Sequence, residues 1–458
     1  MSYDAAGTAD SADPAERARE ILGFSRWWQV AAAAVMMGLV SPYQYVWSSI
    51  QGPLAEGLGI PLPALGLVFT LFVIFQAGSQ FPVGWWRDRY GPRRLTLLAG
   101  VLAGGGYVGL AYATEVWQLY LLYSLGAVGV GIVYTVAVNT ALKWFPDRRG
   151  LTTGVGTMAF AGGSALFVPY VRANATQGGY PDVLTNMGLL IGVGILVGAL
   201  VLRDPPRDWL GGGGGGGDAA GEEATDVGAD GAEVDGTEAN GAGSAGADST
   251  DSEASPDGGA VASARQYTWR ETIRTWQFWL MYAMFVAVSG AGLMLTAQVV
   301  TFAERLGLAA VVATASATLL PIAGGVGRLL LGHVSDRVDR ERAMAASFAL
   351  CGIGLLLVVY FAQQGSSLLF LAAVVVATFF WSPQYTLFPA VVGDYYGARH
   401  SSANYALLYS GKMWGGVFGG GVATLLVTVV GPAATFQIGG VLAVLAGIGA
   451  LFLRDPAG

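Results

Sequence analysis

Apolar residues in this chain come in long unbroken runs rather than in alternation. No charged residue interrupts 27–55, 57–86, 95–114, 116–142, 151–171, 183–202, 275–303, 306–327 or 343–393, and 400–453 carries only Lys412. A helix needs about 20 apolar residues to cross the hydrocarbon of a bilayer. The two longest runs each hold two spans, split at the polar turns 363–367 and 431–432. The pattern predicts an all-α membrane protein with twelve transmembrane helices. A soluble fold has no means of covering so much apolar surface.

Composition agrees: 53% of residues are hydrophobic and 12% charged, against about 25% charged in a typical soluble domain. The first 25 residues are polar and acidic, so a cytoplasmic N-terminal tail (1–25) is expected and no cleavable signal peptide. The one cysteine, Cys351, falls inside a span, which excludes an intrachain disulfide. Positive charge sets the orientation. With both termini inside, cytoplasmic segments hold 20 of the 24 Lys and Arg residues, and only Arg172 and Arg305 fall outside. That asymmetry satisfies the positive-inside rule and places the protein in the cell membrane.

Residues 211–264 break the pattern with seven glycines and then a tract of 12 acidic residues without Lys or Arg. Such a composition buries no core and predicts disorder. It alone turns a charge balance of +5 into −7. An acidic linker in a lysine-poor chain also points to a salt-loving prokaryote. The seven glycines lack the lysine of a phosphate-binding loop. The chain thus divides into a six-helix half (26–204), a disordered acidic linker (205–268) and a second six-helix half (269–454).

The halves share a signal. GWWRDRYGPRR (84–94) and GHVSDRVDRER (332–342) lie 248 residues apart, so that Gly84, Asp88, Arg89 and Arg94 map onto Gly332, Asp336, Arg337 and Arg342. The second copy has Asp339 where the first has Gly91. Duplication of a six-helix unit is the layout of a carrier that rocks two halves around a central site. The repeated Gly-x-x-x-Asp-Arg resembles the loop signature of the major facilitator superfamily, which implies two pseudo-symmetric halves. Its aspartates are then expected to act as a cytoplasmic gate, pairing with arginines or a helix terminus of the opposite half.

Inside the predicted spans stand two cations, Arg328 and Lys412. A charge at the bilayer centre costs at least about 2.5 kcal/mol on insertion scales and marks a substrate, ion or proton path. Arg328 lies about one turn from Gly332, so snorkelling to water is the competing reading for it. No Asp or Glu lies near the middle of any span, so the pair suits an anionic substrate. Aromatic and polar residues accompany them: Gln44 and Trp47 on one expected helix face, Tyr134, then Trp381 and Tyr385, and a stripe of Tyr405, Tyr409 and Lys412. Such walls favour a small flat anion. Trp27, Trp28 and Trp117 read as interfacial anchors, and Asn139 as an interhelical hydrogen bond.

The blocks YQYVW, GIVYTVAVNTALKWFPDRRGL, GRLLLGHVSDR, YTLFPA and NYALLYSGK are similar to the oxalate/formate antiporter family within that superfamily. The resemblance implies that Arg328 and Lys412 bind a carboxylate, with Tyr45, Tyr134, Trp381 and Tyr385 as an aromatic cage and Gln44 beside them. Phe160 departs from the family, which has a tyrosine in its place. The function so implied is a secondary transporter exchanging small carboxylates by alternating access, working as a monomer without cofactor or metal. A proton-coupled monocarboxylate carrier is the alternative, although Arg328 follows Gly327 rather than an aspartate. A non-transporting sensor is a third reading. Enzyme chemistry and nucleic-acid binding have no motif, and the two histidines, His333 and His400, fall on cytoplasmic loops.

Overall fold

A computed structural model of the chain describes residues 14–145, 149–206, 266–335, 338–397 and 401–456. Most of the tail 1–25, the linker from 207 to 265, Asp336, Arg337 and His400 lie outside the described residues, as do the side chains of Asp88 and His333. Every regular element among the described residues is a helix.

We label the main helices α1–α12 in chain order. In the first half, α1 is the bent pair Trp27–Tyr45 and Trp47–Leu58, followed by α2 (Leu62–Gly78), α3 (Pro92–Ala111), α4 (Val116–Ala141), α5 (Gly154–Asn174) and α6 (Tyr180–Val201). The second half comprises α7 (Trp276–Arg305), α8 (Ala310–Gly332), α9 (Arg340–Gln363), α10 (Ser367–Tyr396), α11 (Asn404–Val429) and α12 (Pro432–Ala450). Ten of these are long and apolar enough to cross a membrane, and α1 makes eleven if its 50° bend is one broken span. Helix α2 falls short of the expected twelfth by length. Its 17 residues rise about 26 Å, and Gln80–Tyr90 continues the chain beyond Ser79. The outer faces are apolar: Val101, Leu189, Val193, Val197, Leu425, Val441 and Leu445 are all exposed. Helical backbone bonding is the condition for a chain surrounded by lipid.

The two halves repeat one packing scheme. Helix α3 packs along α6, and α9 along α12. Both contacts are built on glycine: a Cβ on Gly104 would lie 2.7 Å from Gly192 Cα, and one on Gly447 2.7 Å from the Ala349 amide. Small residues let backbones approach where no hydrophobic driving force separates helix from lipid. Between the halves, α1 meets α7, α2 meets α11, and α5 meets α8. The last two contacts are each other's pseudo-symmetric counterparts.

Each signature glycine faces a threonine of its own half, Gly84 against Thr135 and Gly332 against Thr386. The departure at the end of the motif has a backbone cause. Gly91 takes φ +75°, a conformation that favours glycine, whereas Asp339 sits at φ −51°. The second turn is thus built differently and does not need glycine.

Candidate functional site

The two intramembrane cations come together at the interface of the halves. Arg328 on α8 and Lys412 on α11 are 4% and 3% exposed. Arg328 does not snorkel. Its Nε donates to Ser382 Oγ at 2.6 Å, one terminal nitrogen to the Thr157 carbonyl at 3.2 Å and the other to Tyr45 OH at 3.4 Å. Lys412 Nζ donates to Gln76 Oε1 at 2.9 Å, and to Gln44 Oε1 and Tyr409 OH at 3.4 Å. Among the described residues neither cation has a carboxylate partner.

Tyr385 on α10 links them. Its ring centroid lies 4.7 Å from the Arg328 guanidinium carbon and 5.6 Å from Lys412 Nζ. The negative ring face attracts both cations, and so eases the approach of two like charges. Tyr409 adds a second face, 5.6 Å from Lys412 Nζ. Trp381 stands edge-on to Tyr385 at 5.9 Å and packs against Gly292 of α7, where any side chain would collide with the indole. Tyr134 joins through Phe160, which makes edge contacts with Tyr134 at 5.4 Å and Tyr45 at 6.1 Å. Phe160 therefore fills the position between two tyrosines while bringing no hydroxyl.

The sequence reading missed several contacts. Gln76 is the nearest partner of Lys412, yet a single amide near the end of α2 carries no periodic signal. Its Nε2 is a buried donor without a partner, a group that suits an anion beside the ammonium. Ser382 and the Thr157 carbonyl were also unforeseen. Two expectations are corrected. Gln44 and Trp47 do not share a face: the break at Val46 sends Gln44 to Lys412 and Trp47 into the first half, 4.9 Å from the Tyr123 ring. Asn139 donates to the Thr135 carbonyl of its own helix at 2.7 Å, not to a neighbouring helix.

The signature end is organised by a residue that was not singled out. Arg87 is buried and pairs with Asp204 at 2.8 Å, also donating to Thr140 Oγ1. Lys143 reaches the other oxygen of the same carboxylate at 3.1 Å. Arg89 and Arg94 are exposed. At the opposite end Arg172 of α5 pairs with Glu304 of α7 at 2.7 Å and donates to Thr314 of α8. Nearby, Gln51 of α1 donates to the Ala297 carbonyl and to Thr301 of α7. These contacts join the halves.

A cavity of about 510 Å³ opens at the signature end of the second half, lined by Asp339, Arg340, Glu341, Asp394, Tyr395 and Asp455 among others. It holds the carboxylates that the membrane interior lacks, and they repel anions. The anion-suited chemistry lies with Arg328 and Lys412.

Comparison with known proteins supplies the family. The model of the Major Facilitator Superfamily matches residues 30–388 and 287–458. The oxalate:formate antiporter of Oxalobacter formigenes is 30% identical over 414 residues, covering 90% of this chain and 88% of that protein. Among solved structures, the nucleoside transporter NupG superposes with a TM-score of 0.66 at 10% identity, over 92% of this chain and 99% of that one. A bacterial homologue of the human lysosomal transporter Spinster gives 0.60 at 15% identity, over 93% and 95%. The last two speak for the fold alone. With its duplicated six-helix halves and the match along nearly its whole length, this chain belongs to the Major Facilitator Superfamily.

Proposed function

We propose that this protein exchanges small carboxylate anions, oxalate- or formate-like, by alternating access, and that it is a carrier rather than an enzyme. The observation that carries this reading is the pair of buried cations without a carboxylate partner among the described residues, both standing on the second half and both bonded to the first. Arg328 offers a planar fork to a carboxylate and Lys412 a compact charge. Gln44, Tyr45, Tyr134, Trp381 and Tyr385 complete the walls. The similarity to the Oxalobacter antiporter supports the substrate class.

Exchange follows from electrostatics. Closing the empty carrier would dehydrate two cations with no internal counter-ion, at a cost of several kcal/mol per buried ion. A bound anion offsets that penalty, so the loaded form crosses readily and the empty form does not. The signature end, rich in Arg, faces the cytoplasm, with both termini, and the carrier works as a monomer in the cell membrane. Gly84, Asp88, Arg89 and Arg94, with Gly332, Asp336 and Arg337, form the inner gate.

The test is counterflow in proteoliposomes preloaded with oxalate, formate, lactate or buffer alone, following labelled oxalate. Uptake that needs an internal carboxylate supports exchange. Uptake into empty vesicles driven by a pH gradient would replace this reading with proton-coupled carboxylate transport.

A further inference from the structure

Just beyond Lys412, helix α11 leaves regular α geometry. Residues Gly411–Val417 are α-helical, Phe418–Val422 form a π-turn, and Ala423–Val429 resume the α-helix. A π-turn inserts one extra residue, and isolated ones cluster at functional sites. Since each residue of an α-helix turns about 100°, the insertion re-aims everything before it, Lys412 included, relative to the segment after it.

What holds the turn comes from the other half. Thr70 of α2 is 4% exposed. Its hydroxyl donates to the Gly416 carbonyl at 3.2 Å and accepts from the Gly421 amide at 2.7 Å. One hydroxyl thus bridges a carbonyl just before the widened turn and an amide within it, five residues apart on α11. The glycines permit the approach. Any side chain at Gly420 would collide with Thr70 Oγ1, and a Cβ at Gly416 would lie 2.5 Å from Val73.

We propose that Thr70 is a positioning residue. By bracing the π-turn across the interface, it aims the Lys412 ammonium at Gln44, Gln76 and Tyr409. Because Thr70 and Lys412 stand on different halves, the aim depends on α2 and α11 being in contact. When they part, the Gly416 carbonyl and Gly421 amide lose their bridge, the turn relaxes to α, and Lys412 swings off the site. This inference rests on the transport reading for its functional consequence but not for its structural one.

The test uses the full-length protein with Thr70→Val, which keeps the shape and removes the bridge, and Thr70→Ser, which keeps the hydroxyl. In counterflow, Thr70→Val is expected to raise the KM for oxalate about fivefold to tenfold, the scale of one lost hydrogen bond, with the maximal rate within about twofold. Thr70→Ser is expected to stay within about twofold of the wild type in both. Hydrogen exchange by mass spectrometry reads the turn without substrate: peptides covering 416–422 should exchange roughly tenfold faster in Thr70→Val only. Wild-type exchange at 416–422 in Thr70→Val, or equal defects in both variants, would overturn the proposal. A wild type that moves no carboxylate would sink the transport reading and leave the exchange measurement as the test of the brace.

Discussion

Arg328 and Lys412 share one aromatic ring, the guanidinium carbon 4.7 Å and the ammonium 5.6 Å from the centroid of Tyr385. Two like charges in a low-dielectric interior repel, and the ring between them contributes attraction to each. Cation–π contacts amount to about 0.5–2 kcal/mol each. Tyr385→Ala is therefore expected to weaken carboxylate binding about tenfold or more, whereas Tyr385→Phe keeps the ring and stays within about threefold. Counterflow KM values for the two variants check this.

Lys412 trades stability for chemistry. Removing a buried cation that has no carboxylate partner relieves a desolvation cost. Lys412→Met is expected to stabilise the substrate-free protein by roughly 1–3 kcal/mol while abolishing exchange. Thermal unfolding in detergent and counterflow on the same preparation give the two readouts. A variant that loses exchange together with stability would make the lysine a structural residue.

Arg172 and Glu304 join the halves at the end opposite the signatures, with side chains 14% and 47% exposed. A pair this open to solvent contributes only about 0.5–1 kcal/mol, a shift of roughly twofold to fivefold in the balance between open and closed forms at that end. Glu304→Gln should raise the open population by that factor. The reversed pair, Arg172→Glu with Glu304→Arg, should restore it. Distances between spin labels on α5 and α7 report the populations.

Arg87 is 1% exposed beside an Asp204 that is 23% exposed. Asp204→Asn removes the charge from this ion pair while Thr140 still accepts from the guanidinium. Discounted for the partly solvated carboxylate, the loss is expected to be about 1–3 kcal/mol, read as a lowered unfolding temperature. Arg89→Ala, on an exposed side chain of the same motif, should leave stability unchanged within about 0.5 kcal/mol.

Much of this arrangement was legible because it follows from local rules. Uncharged runs of about 20 residues located the helices, and the repeated glycine motif located the two halves. Arg328 and Lys412 declared themselves by being expensive where they stand. What escaped were contacts set by tertiary geometry. The Thr157 carbonyl that accepts from Arg328 has no side-chain signature, and Gln76 is one amide at the end of the shortest main helix. Trp47 left its expected face because a break in α1 resets the helical phase, a change that periodicity assumes away. Arg87, Arg89 and Arg94 look alike in sequence. Only packing decides which of them is buried.

Both intramembrane cations stand on one half and donate hydrogen bonds to the other: Arg328 to Thr157 and Tyr45, Lys412 to Gln44 and Gln76. On the proposed reading this makes ligand affinity and association of the halves two faces of one coupling free energy. Linkage then requires reciprocity. Whatever factor the anion adds to the closure equilibrium, a change that pries the halves apart must subtract from anion affinity, even if it lies far from either charge. A membrane composition or a distant substitution that favours parting the helices would register as a weaker ligand constant, with no contact to the ligand altered.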